Sequence, residues 1–171
     1  MTILLLVRHG ETDWNAVRRW QGHADVPLNE CGREQAQRLA DSFPGDAVDA
    51  IYASDLARAR ETAEILGARL GRPVVVDPDL REIDVGSREG LTGEEVGARE
   101  WDGESYEAHR DRTLRALARI VAGHPGSRVV VVAHGGTLRR MHEHVGLEPT
   151  EIANCTVWTC AHEDGVFRAI E

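Results

Sequence analysis

Lysine is absent from this 171-residue chain, and all 20 of its basic residues are arginine. The simplest reading of that absence is a GC-rich coding sequence. Positive charge is also outweighed: 29 acidic residues leave a formal net charge of −9. Such a balance disfavours a general binder of nucleic acid or of a membrane surface. Any anion the protein holds must therefore meet a local cluster of arginines. Long apolar runs are missing too, and none approaches the roughly 20 residues needed to cross a bilayer. The opening MTILLLVRHG has no basic leader and no small-residue cleavage site, so it reads as a first strand rather than a secretion signal. Cysteine is scarce, with Cys31, Cys155 and Cys160 forming no C-x-x-C pair. Cys155 and Cys160 stand five apart in a strand-like segment, which points their side chains to opposite faces. That speaks against a local disulfide and against a shared metal, and a cytoplasmic protein is the expectation. Internal repeats, low-complexity tracts and linkers are absent as well, so residues 1–171 read as one domain, long enough to bury a substantial core.

What is present is an alternation of two patterns. Short apolar runs at 3–7 (ILLLV), 50–53 (AIYA), 74–76 (VVV) and 128–133 (RVVVVA) read as strands. TVWTC at 156–160 and VFRAI at 166–170 predict an edge hairpin around Glu163-Asp164-Gly165, at which a second copy could pair in a homodimer. Helical spacing occupies 30–42, 55–70, 104–122 and 137–145. In the second of these Leu56, Ala59, Ala63, Leu66 and Leu70 recur at steps of three and four, with Ser54 as the expected cap and Gly71 and Pro73 as the stop. Strands alternating with helices predict an α/β fold, a three-layer α/β/α arrangement with a mostly parallel central sheet.

In such sheets ligands gather beyond the carboxyl ends of the strands. Two strand ends draw notice there: Arg8-His9-Gly10 after the first, and His134-Gly135-Gly136 after the 128–133 run. A glycine after each histidine lets the backbone approach a ligand, and Gly10 in particular reads as room for one. Arg8 is adjacent, and Arg58 falls in the first turn of a helix, where free N–H groups favour an anion. Arginine forks suit phosphate, each charge-assisted bond contributing about 1.5–3 kcal/mol. Neighbouring cations also keep imidazole neutral, hence nucleophilic. The chemistry this supports is phosphoryl transfer to a histidine nitrogen followed by attack of water. A proton donor for the leaving alkoxide is offered by Glu82 or Asp84 in LREIDVG.

Five motifs in order, VRHGETDWN (7–15), QGHADVPLNECGREQA (21–36), IYASDLARARETA (51–63), LREIDVG followed by EG (80–90) and VVVVAHGG (129–136), resemble the histidine phosphatase superfamily, in its phosphoglycerate-mutase-like branch. The resemblance spans nearly the whole chain. It implies a nucleophile at His9, a phosphate pocket of Arg8, Arg58 and His134, and Glu82 as proton donor through its offset to Gly86. It further implies that Asn15 contacts the transferred phosphoryl group, while Thr12, Gln21, Gly22 and the Gly135 backbone line the mouth. No metal and no other cofactor is expected, and the partner is a small-molecule phosphate ester. The stretch between Glu82 and the 104–122 helix is short and nothing sizeable follows residue 171, unlike mutases with insertions over the site; a phosphomonoesterase is therefore the expectation. The rivals are a phosphoglycerate-mutase-like phosphotransferase and a non-catalytic phospho-ligand-binding module.

Several residues carry blander readings. His142 and His144 stand two apart on a helix, share no face, and read as surface positions. His23, His109, His124 and His162 show no partner pattern. Trp158 reads as core, and Trp14, Trp20 and Trp101 as packing residues or as platforms for a substrate ring. The acidic 94–105 segment reads as a solvated loop that could fold over the entrance.

Overall fold

The structure, a computed structural model, describes residues 1–43 and 48–170. Its elements in chain order are β1 (Thr2–Arg8), α1 (Asp13–Ala16), α2 (Glu30–Ser42), β2 (Ala50–Ala53), α3 (Ala57–Leu70), β3 (Val74–Val76), α4 (Gly93–Val96), α5 (Tyr106–Gly123), β4 (Arg128–Ala133), α6 (Gly135–His144), β5 (Val157–Glu163) and β6 (Val166–Ala169). Two 3₁₀ turns, Pro78–Leu80 and Gly86–Arg88, flank the segment around Glu82.

The valine run of β4 is apolar at every position because both of its faces are covered. It lies between β2 and β1 in a sheet of order β3-β2-β4-β1-β5-β6, with the first four strands parallel and the last two antiparallel. Side chains alternate across the sheet as a pleat requires. Leu4, Leu6, Val129 and Val131 pack with Leu117, Ile120, Leu138 and Met141 of α5 and α6. Leu5, Val7, Val130 and Val132 pack with Ala40 of α2 and Ala59, Ala63 and Leu66 of α3 on the other face. Each such aliphatic side chain contributes about 1.5–3 kcal/mol on burial. The observed fold is thus the three-layer α/β/α arrangement expected.

One consequence of this topology locates the site. β1 and β4 are parallel neighbours in register, with Val7 opposite Val132 and Arg8 opposite Ala133. After β1 the chain passes to α2 on one face; after β4 it passes to α6 on the other. Diverging exits from adjacent parallel strands open a crevice at their carboxyl ends.

Local details correct several expectations. Ser54 is not the cap of α3: that place falls to Leu56, which has no side-chain cap bond. Ser54 Oγ accepts from the Leu56 amide at 3.3 Å, and the Asp25 carboxylate accepts from Ala57 N at 2.6 Å. A carboxylate from a distant loop therefore does the capping. Gly71 closes the helix in the left-handed conformation (φ 63°). Cys155 lies before β5 with φ 57°, outside any strand. His142 is buried rather than on the surface, because its ring packs on Trp158 at a centroid distance of 4.5 Å where α6 meets β5. The 94–105 segment is largely exposed, as a solvated loop should be, but it is tied down at its end. Asp102 accepts from Ser87 N at 2.9 Å, Glu104 pairs with Arg112 at 2.7 Å, and Trp101 stacks on Tyr106 at 5.6 Å.

Candidate active site

His9 is the first residue past β1, and its amide continues the ladder by donating to Ala133 O at 3.0 Å. His134 is the first residue past β4. Strand adjacency therefore brings the two imidazoles together, with ring centroids 5.2 Å apart at 60°. His9 Nδ1 lies 2.6 Å from the carbonyl of Gly10. A carbonyl only accepts, so Nδ1 carries the hydrogen and the lone pair is on Nε2. The His9 carbonyl is held in turn by Asn154 Nδ2 at 2.9 Å.

Gly10 does not leave room for a ligand. Its amide donates to Thr62 Oγ1 of α3 at 3.0 Å, and a Cβ there would stand 2.5 Å from the carbonyl oxygen of Gly32 in α2. The glycine is required because α2 sits directly on the turn after β1. Gly135 is the glycine that faces the cleft, and a Cβ there would meet the Arg8 guanidinium at an ordinary contact distance of 3.5 Å.

Arg58, 1% exposed, enters from the first turn of α3 and donates to Gly22 O at 2.9 Å and Ala24 O at 2.8 Å. Arg8 donates to Ile152 O. Four buried polar atoms of this cluster have no hydrogen-bond partner: Arg8 Nε, Arg58 Nε and both ring nitrogens of His134. Buried polar groups are satisfied as a rule, so the concentration of exceptions marks a place built for a polar ligand. Arg8 and Arg58 line a cleft of about 580 Å³ whose walls also include His9, Asn15, Glu82 and Arg139, whereas His134 is fully buried against His9 and is not itself part of the wall. Positive charge is thus concentrated locally in a chain that is acidic overall.

The electrostatics follow from burial among cations. Desolvation, then Arg58 and Arg8, hold the His9 pKa well below the ordinary imidazole value, and the same burial with Arg58 and His9 does so for His134. Burial lowers Arg58 to about 10, so it remains charged at neutral pH. Glu82 balances opposing effects. Burial favours its neutral form, but His109, the Gly136 and Ile83 amides and Arg58 outweigh that and hold its pKa below the ordinary carboxylate value. Both amides lie at 2.9 Å, Gly136 N on Oε2 and Ile83 N on Oε1.

Glu82 rather than Asp84 faces the cleft. Asp84 turns away and accepts from Gly86 N at 2.8 Å. Asn15, Gln21, Gly22 and Gly135 lie in the cleft wall, but Thr12 does not line the mouth. It is fully buried because it caps α1, accepting from Asn15 N at 3.1 Å, and its hydroxyl donates to Gln21 Oε1 at 2.9 Å. Sequence reasoning missed Asn154, Arg139 and Glu151 on the cleft wall, and His109 behind Glu82. Arg139, four residues beyond Gly135 and on the same helix face, is the one that helical spacing could have found. Among the described residues no group of three or more His, Cys, Asp or Glu is placed as metal ligands would be.

Two measurements follow from this geometry. A Cβ at Gly136 would stand 2.1 Å from Glu82 Oε1, the far end of a flexible side chain. Gly136→Ala should therefore leave thermal stability little changed while displacing the carboxylate and lowering kcat about 10–100-fold. An unaltered kcat would show that Glu82 need not sit on the Gly136 amide. Second, His9, His109 and His134 all have pKa values depressed below 6.5, burial being the first cause in each. Below pH 6.5 the unfolded chain binds protons that the folded protein does not, so stability is full above that pH and is lost as pH falls. Depressed carboxylates such as Glu82 add their loss only below about pH 4.5. Denaturant titrations should show unfolding free energy falling between pH 7 and 5, and a flat profile there would contradict neutral burial of these imidazoles.

Comparison with known proteins agrees with the geometry. Residues 4–169 match the model of the histidine phosphatase superfamily (branch 1). Phosphoglycerate mutase-like protein 4 of Arabidopsis thaliana is 42% identical over 159 residues, which span 82% of this chain and 69% of that protein. The metal-independent phosphoserine phosphatase of the same plant is 38% identical over 161 residues, 83% of this chain and 68% of that one. The solved structure of a mycobacterial glucosyl-3-phosphoglycerate phosphatase complexed with VO3 superposes with a TM-score of 0.86 at 33% identity, covering 97% of this chain and 95% of that chain.

Proposed function

The chain belongs to the histidine phosphatase superfamily and is a phosphomonoesterase of the histidine-phosphatase type, and from that premise we propose that it hydrolyses small phosphate esters through a phosphohistidine on His9. The observation that carries this reading is the fixed tautomer of His9: with Nδ1 bound to Gly10 O, the lone pair of Nε2 is free to attack phosphorus. Arg8, Arg58 and His134 take the charge of the phosphoryl oxygens, supplying the donors that the protein itself leaves unpaired. As the N–P bond forms and the ester O–P bond breaks, Glu82 gives its proton to the leaving oxygen. Water then attacks the phosphohistidine, and the Glu82 carboxylate takes the proton of that water. Glu82 is ionised when the cleft is free, so the dianionic phosphoryl group, by raising its pKa, is what loads the donor. Contact of Asn15 with the phosphoryl group in transit is supported by its position on the cleft wall.

Hydrolysis is favoured over return of the phosphoryl group to an alcohol by the open mouth. Among the described residues none from 91–105 takes part in the cleft wall: the 94–105 segment bonds residues 84–88 and touches the wall residues Arg19 and Trp20 without entering the cleft. Water therefore has access to the phosphohistidine. Among the described residues no helix is long and apolar enough to cross a membrane, and a cytoplasmic setting suits three cysteines that form no disulfide.

Millisecond acid- and alkali-quench labelling with a phosphate monoester tests the proposal. A phosphoenzyme stable to alkali and labile to acid should form and release inorganic phosphate. Phosphate that only migrates on the substrate would establish a mutase instead, and an ester that binds without cleavage would establish a binding module.

A further inference from the structure

Glu82 sits on a strap with no regular secondary structure: residues 81–85 belong to no helix or strand. The carbonyls of such a strap still need donors when they are buried. One side chain supplies donors to two of them and to a third in the 3₁₀ turn just before. Arg112, from the second turn of α5, donates through Nη1 to Asp79 O and Arg81 O, both at 2.9 Å, and through Nη2 to Glu82 O at 3.2 Å. Its remaining donors grip Glu104, Nε to Oε1 at 3.0 Å and Nη2 to Oε2 at 2.7 Å. All five N–H groups of the guanidinium are thereby used. Glu104 is itself tied to the strap, its amide donating to Asp84 O at 2.9 Å and its carboxylate accepting from Asp84 N at 3.3 Å. Neither side chain lines the cleft, and they are only 15% and 17% exposed.

We propose that Arg112, locked in place by Glu104, is the positioning residue of the proton donor: it orients the peptide planes of 79–82 so that the Glu82 carboxyl meets the ester oxygen. The inference rests on the reading of Glu82 as donor. Leu80 anchors the strap in the core and His23 Nε2 touches Glu82 O at 2.9 Å, but neither spans the three carbonyls. A lysine could not replace the fork, because a single ammonium cannot face three carbonyls and a bidentate carboxylate together.

Leaving-group selectivity separates this role from general support of the fold. Glycerol 2-phosphate expels an alkoxide that needs a proton, whereas 4-nitrophenyl phosphate expels a phenolate that does not. In Arg112→Met, kcat/KM for glycerol 2-phosphate should fall about 30-fold and that for 4-nitrophenyl phosphate less than about 3-fold, because a donor displaced by about 1 Å loses most of its effect. Glu82→Gln, measured alongside, should show the same selectivity more strongly. Parallel losses on both esters in Arg112→Met beside a selective loss in Glu82→Gln overturn the clamp alone. Parallel losses in Glu82→Gln overturn the donor reading beneath it. If Arg112→Met does not fold, Glu104→Gln carries the test, with an expected selective loss of about 5-fold on glycerol 2-phosphate; equal loss on both esters, or none, overturns the proposal there too.

Discussion

Replacing His9 with alanine is expected to lower kcat by at least about 10⁴-fold, because losing a covalent nucleophile removes the reaction path and not merely one stabilising contact. The phosphoenzyme should disappear with it. Binding should survive, since the groups that hold the phosphoryl oxygens come from elsewhere: Arg8 from the end of β1, Arg58 from α3 and His134 from the end of β4. The fold should survive as well. Alanine removes one buried ring and its bond to the Gly10 carbonyl, while the His9 amide keeps its bond to Ala133 O and the His9 carbonyl keeps Asn154. Equilibrium binding of a phosphate ester to His9→Ala, together with a rapid-quench assay, checks both halves. Substantial turnover in the variant would falsify the phosphohistidine path.

Replacing Arg58 with methionine is expected to cost about 10²–10³-fold in kcat/KM, the loss typical of one strong donor to a developing anion. The effect on stability should depend on ligand. Arg58 is a buried cation with no carboxylate in hydrogen-bond contact; Glu82, Asp25 and Glu89 act on it only through space. Burying a charge without a partner costs free energy. Methionine removes that cost but leaves Gly22 O and Ala24 O without their donor, at about 1–3 kcal/mol each. The opposing effects should leave the melting temperature of the free protein nearly unchanged. Inorganic phosphate at 100 times its Kd should stabilise the native protein by about 2.7 kcal/mol, a rise of about 5–10 °C, and that rise should vanish in Arg58→Met. Thermal melts with and without phosphate give the answer. An unchanged phosphate response would show that Arg58 supports the loop at 22–24 and does not bind the anion.

Both predictions rest on residues that stood out in the linear sequence, and the reason is local. His9 and His134 each follow an apolar run, and the end of a buried strand is visible as a change in pattern. Arg58 falls in the first turn of a segment whose helical spacing is plain. Other roles were misread because a distant element decides them. Gly10 serves contact with Gly32 of α2, Thr12 caps α1 and positions Gln21, and the start of α3 is capped by Asp25 rather than Ser54. Asn154, His109 and Arg112 carry no spacing signal. They act on residues 145, 27 and 30 positions away: Asn154 by a hydrogen bond to His9, His109 by its electrostatic effect on Glu82, and Arg112 by a hydrogen bond to Glu82.

By itself the sequence determined the layered α/β architecture, the strands that end in histidine, and a local basic cluster in an acidic chain. These depend on the order of apolar and polar residues within a few turns or a few strand positions, and that order is written in the chain. Tertiary structure alone decided that β1 and β4 are parallel neighbours in register, so that His9 and His134 meet at 5.2 Å. It also decided that Glu82, not Asp84, turns toward them. Those outcomes depend on which strands pair and on which carbonyls Arg112 reaches, contacts between residues far apart in the chain whose geometry exists only once the core has closed.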